Sequence, residues 1–284
     1  MAELTSNLPM MQPTSLSTRL RTALTQYLPS ILLGIGVLVI WELIVRVLQV
    51  QQFLLPAPSA ILNNFGVEAQ SFFSGEGSIL FEAAGATLYS AVGGFLLGCG
   101  LGAGVAFATA RWTVISQALM PLAIAANSVP IIAFAPIMNN WFGLTNPFSK
   151  MAIVAIIVFF PMMINTVRGL TLVDERQLEL MQSLAASPWK ILRALRIPNA
   201  LPYMFSALRV ATALSTIGAI VAEFFGGPRA TLGVFITQEV AGFNFARAWS
   251  AIIMACLIGI SFYVLVLLLE RWIMPWHVSF RKSG

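Results

Sequence analysis

Charge is scarce in this chain. Lys, Arg, Asp and Glu make up 10% of its 284 residues, against roughly 25% in an ordinary globular domain. So few charges cannot cover the water-facing surface of a soluble protein of this length. With 58% hydrophobic residues and a mean hydropathy of +0.85, the chain reads as an all-α membrane protein whose apolar exterior faces lipid. Cysteine is nearly absent. Cys99 and Cys256 lie in apolar runs without metal-ligand spacing, which argues against a disulfide framework and for packing roles. The single histidine, His277, cannot build a metal site alone. A glycine-rich phosphate loop and a nucleophile–base pair are also missing, so no catalytic residue, metal or cofactor is expected. The net charge of +5 could suggest nucleic acid on a soluble chain. Here it fits the excess of Lys and Arg that membrane proteins keep on the cytoplasmic side, and no nucleic acid partner is expected.

A spanning helix needs about 20 mostly apolar residues. Six stretches qualify: 28–47, 84–110, 114–137, 148–167, 200–224 and 246–270. The first is followed by no small-residue cleavage site and reads as a retained span. Residues 1–27, rich in Ser, Thr and Pro, read as a mobile or interfacial cytoplasmic arm, and 28–284 as one transmembrane domain. The second stretch carries Gly93, Gly94, Gly98, Gly100, Gly102 and Gly104, which would let helix backbones approach closely. The third holds Pro121, Pro130 and Pro136 with Asn127 and Ser128, and Asn139 and Asn140 just beyond. A helix broken by proline at membrane depth frees carbonyls that protein or a water-filled cavity must meet. This stretch is therefore the first candidate for lining a path.

Orientation follows from charge. With the N-terminus inside, Arg19, Arg21, Arg111, Arg168, Arg176, Lys190, Arg193, Arg196, Arg271, Arg281 and Lys282 all fall on the cytoplasmic side. The outside keeps Lys150, Arg229 and Arg247, with Arg46 near a helix end, and its first loop holds Glu68, Glu76 and Glu82. This asymmetry places both termini in the cytoplasm and gives an even number of spans. In that first outer loop, "LLPAPSAI" reads as a turn leading into a helix along the membrane surface.

The longest internal cytoplasmic segment is then about 168–199. Its stretch "ELMQSLAASPWKILRALRIPNALP" is charged and half-apolar. Ser187 suits an N-cap and Pro188 the first position of a new helix, so two short helices with a bend at 185–187 are expected. In the second, Lys190, Arg193 and Arg196 share one face, and Trp189 falls among them. Pro198 and Pro202 are expected to end the loop and begin the fifth span. From the residues alone, this is either a helix lying on headgroups or a contact to another protein.

The same stretch resembles the EAA loop of permease subunits of bacterial ABC importers. That pattern is Glu-Ala-Ala, three residues, Gly, nine residues, Ile, any residue, Leu-Pro. Glu179 fits the Glu, Leu195 the Ile, and Ile197-Pro198 the Leu-Pro. Leu180 and Met181 replace the double Ala, and Ala185 stands where Gly is expected. The blocks "NSVPIIAFAPIMNNWFG", "FFPMMINTVRGL" and "IGAIVAEFFGG" are similar to the nitrate, sulfonate, taurine and pyrimidine-precursor group of these permeases. The resemblance implies the six-helix type I importer permease fold. It implies pairing with a second copy or a close homologue, and two cytoplasmic ATPase subunits that carry ATP and Mg and dock on the loop. It also implies an extracytoplasmic binding protein that delivers the substrate. Glu179, Ser183, Leu184, Ala185, Ala186, Ser187, Trp189 and Pro198 then become the coupling residues, in the inner membrane of a prokaryote.

Polar residues in or beside spans remain. Asn127, Ser128, Pro130, Asn165, Ser215 and Thr216 are candidates for the translocation path, with hydrogen bonding between helices as the alternative. Glu223, near the outer end of the fifth span, is an outer-gate candidate, a partner for Arg229, or a headgroup-level residue reached by water. Glu42 is expected to pair with Arg46 one turn on. The "NTVRGL" and "AEFFGG" blocks and the charge-poor path suit a heterocyclic solute such as a pyrimidine precursor or riboflavin. A small oxyanion is the alternative, and an ATP-independent secondary transporter the alternative class. No repeat and few buried charges support the latter.

Overall fold

The computed structural model describes residues 16–109 and 112–275, and every regular element among them is helical. Residues 1–15 of the N-terminal arm, Arg111, His277, Arg281 and Lys282 lie outside the described residues. The chain divides into two compact units, Met1–Ala60 and Ile61–Gly284.

In the first unit, helix α1 (Leu16–Val47) begins well before the apolar run, so 16–27 continues the helix of the first span. The expected Glu42–Arg46 pair is present, with Arg46 Nε donating to Glu42 Oε1 at 2.5 Å. Glu42 also serves a second element. Its carboxylate accepts from Ser59 N at 3.0 Å and Ser59 Oγ at 2.7 Å, capping the start of α2 (Pro58–Phe73). Proline at the first position of α2 has no N–H to satisfy, and a carboxylate suits the positive end of a helix.

The second unit is built on three helices, α3 (Ile79–Thr109), α6 (Pro147–Thr171) and α9 (Ile197–Phe224). Gly94, Gly98 and Gly102 recur every four residues along α3 and face the backbone of α6. A Cβ on Gly94 would lie 2.5 Å from Val154 Cβ, one on Gly102 would lie 2.6 Å from Phe159 O, and one on Gly98 would collide with Ala155 O. Close approach without side chains between is how helices associate where lipid removes the hydrophobic drive. Around this core stand α4 (Thr113–Asn127), α5 (Ala135–Phe142), α7 (Glu175–Ser183), α8 (Pro188–Ile191), α10 (Leu232–Ala241) and α11 (Phe245–Ile273).

Among the described residues, five helices are long and apolar enough to cross a membrane: Leu28–Val47, Ile79–Thr109, Pro147–Thr171, Pro188–Phe224 and Phe245–Ile273. A sixth crossing exists only if α4 and α5 count together, for they are bent by 75° at a break. Pro130 explains the break. It has no N–H and disfavours helix for the residue before it, and a short 3-10 turn at Ile131–Phe134 follows. The third apolar segment is thus two helices reaching Phe142, where the sequence pattern places one span ending at 137.

The start of the fifth span also differs from expectation. Pro198 and Pro202 do not interrupt the chain, because the helix runs from Pro188 to Phe224 through both. The stretch Leu192–Arg196 widens into a π turn, with Ile197 N donating five residues back to Leu192 O. That wider turn makes room for a proline ring that would otherwise press on the previous turn. Helix α10, too short to span, lies between α9 and α11.

Helices α2, α10 and α11 meet at Arg247. Its guanidinium donates to Glu68 Oε1 at 2.8 Å and pairs with Glu239 Oε1 at 2.8 Å, over the Phe235 ring. Ser78 Oγ donates to Glu68 Oε2 at 2.6 Å. Burial pushes the Glu68 carboxyl pKa up, but the hydrogen bonds from Ser78 and Arg247 and the Arg247 charge outweigh it, so the net direction is down. A carboxyl with a lowered folded-state pKa contributes stability that is complete above the ordinary carboxylate range and is lost as pH falls through the folded value. Thermal unfolding followed between roughly pH 6 and pH 3 should therefore show a shallower pH dependence for Glu68→Gln than for the parent chain.

Candidate functional site

The segment between α6 and α9 is assembled from its ends inward. Asn199 Nδ2 donates to Gly169 O and Leu172 O, both at 2.8 Å, which satisfies carbonyls at the end of α6 and ties the two bases of the segment together. Gly169 allows this closeness, since a Cβ there would lie 2.6 Å from Ala200 Cα. Helix α7 starts at its N-cap Asp174, whose side chain accepts from Arg176 N at 3.0 Å. It ends in a Schellman motif: Ala186 N donates to Met181 O at 3.0 Å and Ala185 N to Gln182 O at 2.9 Å. That motif requires a left-handed residue, and Ala185 takes it with φ +52. The next helix starts as its residues suggest, with Ser187 Oγ accepting from Lys190 N and Pro188 at the first position.

The apex of this segment is turned outward. Leu184 is 70% and Trp189 67% exposed, and Glu179, Ser183, Ala185 and Ser187 are exposed beside them, with Ala186 half-buried. Large apolar side chains at a polar helix corner are what a partner protein would cover. Pro198 is exposed in the continuous helix, away from this corner. Behind the corner lies a crevice of about 440 Å³, bordered by Phe107, Trp112, Gln182, Trp189 and Arg196.

The path candidates are scattered differently. Asn127, Ser128 and Pro130 are exposed at the α4–α5 break. Asn165 is half-buried and donates to Pro161 O of its own helix. Ser215 and Thr216 are buried within the chain, each hydroxyl on Thr212 O. The opposite side of the same helix is uncovered, a stripe of Tyr203, Ser206, Val210, Ala213, Ile217 and Phe224 at spacings of three, four and seven residues.

Glu223 is closed off from bulk solvent, and its carboxylate is held by groups other than Arg229. It is 1% exposed, and its Oε2 accepts from Thr87 Oγ1 at 3.0 Å and Gly233 N at 2.9 Å. Thr87 Oγ1 in turn accepts from Leu232 N, so α3 and α9 together cap the start of α10. Lys150, which charge placement puts on the outer side, does not face solvent. It sits in the first turns of α6, 1% exposed, donating to Asn139 Oδ1 at 2.9 Å and Leu144 O at 2.5 Å.

Residues 96–275 match the family described as binding-protein-dependent transport system inner membrane component. The chain belongs to this family. The permease is 34% identical to the riboflavin transport system permease protein RibX of Chloroflexus aurantiacus, over 85% of this chain and 87% of that one. It is 30% identical to the formylaminopyrimidine transport permease protein ThiX of Halalkalibacterium halodurans, over 89% and 97%. It is 26% identical to the bicarbonate transport system permease protein CmpB of a Synechocystis species, over 74% and 75%. It is therefore a non-catalytic inner-membrane subunit of an ABC importer, a type of machine that works with an ATPase and a binding protein. The secondary-transporter alternative falls with this membership.

Sequence reasoning missed three features of the permease. Asn199 carries the clamp at the base of the loop, and its only signal is a lone amide opening an apolar span. Arg209 Nε lies 3.4 Å from Glu270 Oε2, joining α9 to α11, with Glu270 fully buried. An arginine and a glutamate in two otherwise apolar runs were the signal, since charges within spans seek each other. Lys150 was hidden by its place next to a loop. Buried charge is thus more abundant than the composition suggests.

Proposed function

We propose that the permease conducts a small, mostly neutral heterocyclic solute, such as a pyrimidine precursor or a riboflavin-like compound. The observation that carries this reading is the uncovered stripe on α9, which presents Tyr203, Ser206 and apolar side chains. Arg209 beside it is balanced by Glu270. Such a wall offers stacking and hydrogen bonding and no unbalanced charge. The relatives at 34% and 30% identity, named for riboflavin and formylaminopyrimidine, support it. In this reading the permease has six spans in the type I fold with both termini in the cytoplasm. It pairs with a second copy or a close homologue, lipid surrounds the pair, and the α9 stripe and the exposed 127–130 break face the axis. An extracytoplasmic binding protein delivers the solute. Two cytoplasmic ATPase subunits, which hold the ATP and Mg, dock on the corner around Ala185 and Trp189.

The second reading is a small oxyanion such as nitrate, a sulfonate, taurine or bicarbonate, favoured by the bicarbonate permease relative and by the part-exposed Arg209. Competitive binding to the cognate binding protein separates the two. Tight heterocycle binding supports the first reading. Binding of nitrate, an alkylsulfonate or bicarbonate with no heterocycle binding overturns it.

The docking corner makes its own prediction. Buried tryptophans at interfaces commonly contribute about 2 kcal/mol or more, roughly a thirtyfold change in affinity. Trp189→Ala should weaken ATPase binding by that order in a titration of detergent-solubilised permease, with its unfolding temperature unchanged because the side chain is exposed in the free chain.

A further inference from the structure

A cavity of about 60 Å³ lies at the outer end of the helix core between two buried opposite charges, lined by Lys150, Glu223, Tyr89, Ser90, Pro147 and Thr231 among others. Lys150 and Glu223 do not meet as an ion pair. Each is tied to other groups: Lys150 to Asn139 and Leu144 O, Glu223 Oε2 to Thr87 and Gly233 N. Glu223 borders the cavity, and its Oε1 is buried with no hydrogen-bond partner in the chain. A buried carboxylate oxygen without a donor is costly, and native structures almost always satisfy one.

We infer that this cavity is a binding site for ordered water, which donates to Glu223 Oε1 and accepts from Lys150 Nζ. Three features fit water better than an ion. An ammonium has three donors, and two of those on Lys150 are assigned, so a third is available to an acceptor. A cation would face the Lys150 charge and an anion the Glu223 charge, whereas a neutral donor–acceptor satisfies both. The volume exceeds the roughly 10–15 Å³ that one water needs, and the polar residues Ser90 and Thr231 border it. With water in place the pair is complete and neutral. It then joins α3 through Thr87, α5 through Asn139, α6 through Lys150, α9 through Glu223 and the start of α10 into one polar joint. Held through this joint, these helices should move as one block when the permease opens.

The test is a structure of the full assembly in lipid nanodiscs at a resolution that shows water. The expected result is at least one water within about 2.7–3.2 Å of Glu223 Oε1, shared with Lys150 Nζ. A direct Lys150–Glu223 contact, or no density beside Oε1, overturns the inference. Thermal unfolding of Lys150→Met, Glu223→Gln and the double variant gives an independent check. Each single variant should lower the midpoint, and the double should recover at least half of the larger loss. Losses that simply add would show that the two charges are not coupled and would also overturn it.

Discussion

Gly98→Ala is expected to remove most folded permease from the membrane. The added methyl would enter the backbone carbonyl of Ala155 on α6, and a backbone carbonyl cannot rotate aside as a side chain can. The helices must separate, and Gly94 and Gly102 then lose their close contacts as well, because all three sit on one ridge. Overpacking typically costs about 1–3 kcal/mol and sometimes more. At the upper end, an unfolding midpoint lower by roughly 10 °C is expected in a chain of this size. Gly100 and Gly104 provide the control within the same helix. A Cβ at either meets nothing within 4 Å, so Gly100→Ala and Gly104→Ala should be neutral or gain up to about 1 kcal/mol from helix propensity. Equal behaviour of Gly98→Ala and Gly100→Ala in a thermal scan would refute the packing account.

Ala185→Glu is expected to uncouple the importer: ATP hydrolysis by the assembly persists while uptake falls at least tenfold. Ala185 combines two constraints. Its φ of +52 is a conformation that costs an L residue about 1–2 kcal/mol. It also sits exposed at the corner where the ATPase is proposed to dock. Glutamate keeps the strain and adds bulk and charge to that contact. Ala185→Gly does the opposite, relieving the strain and leaving the corner open, and should preserve uptake with stability unchanged or higher by up to about 1 kcal/mol. Uptake and ATPase rates measured together in proteoliposomes decide the matter. Full uptake by the glutamate variant would count against coupling through this corner.

Much of the loop was legible because capping chemistry is local. Ser187 and Pro188 act on neighbours within a few residues, so sequence spacing and geometry agree. The glycine ridge was legible as a density of small residues, although only the fold tells Gly98 from Gly100. Proline was misleading at Pro198, where a π turn absorbs the ring, and informative at Pro130, where none does. The buried polar cluster was hidden because Thr87, Asn139, Lys150 and Glu223 come from four separate helices, and a polar residue beside a span looks the same whether it faces water or a buried partner. Ser215 and Thr216 show the converse, with hydroxyls on their own helix that sequence alone could not distinguish from wall residues.

The central claim is that the corner around Ala185 and Trp189 transmits ATP hydrolysis in a separate subunit to this chain. The most direct measurement is gentle purification of the tagged chain from its native membrane, followed by identification of what accompanies it and by uptake in vesicles with and without ATP. The account predicts an ATPase in about equal amount, its loss from the Trp189→Ala variant, and uptake that requires ATP. A chain that comes out alone, stays folded and transports without ATP would contradict it.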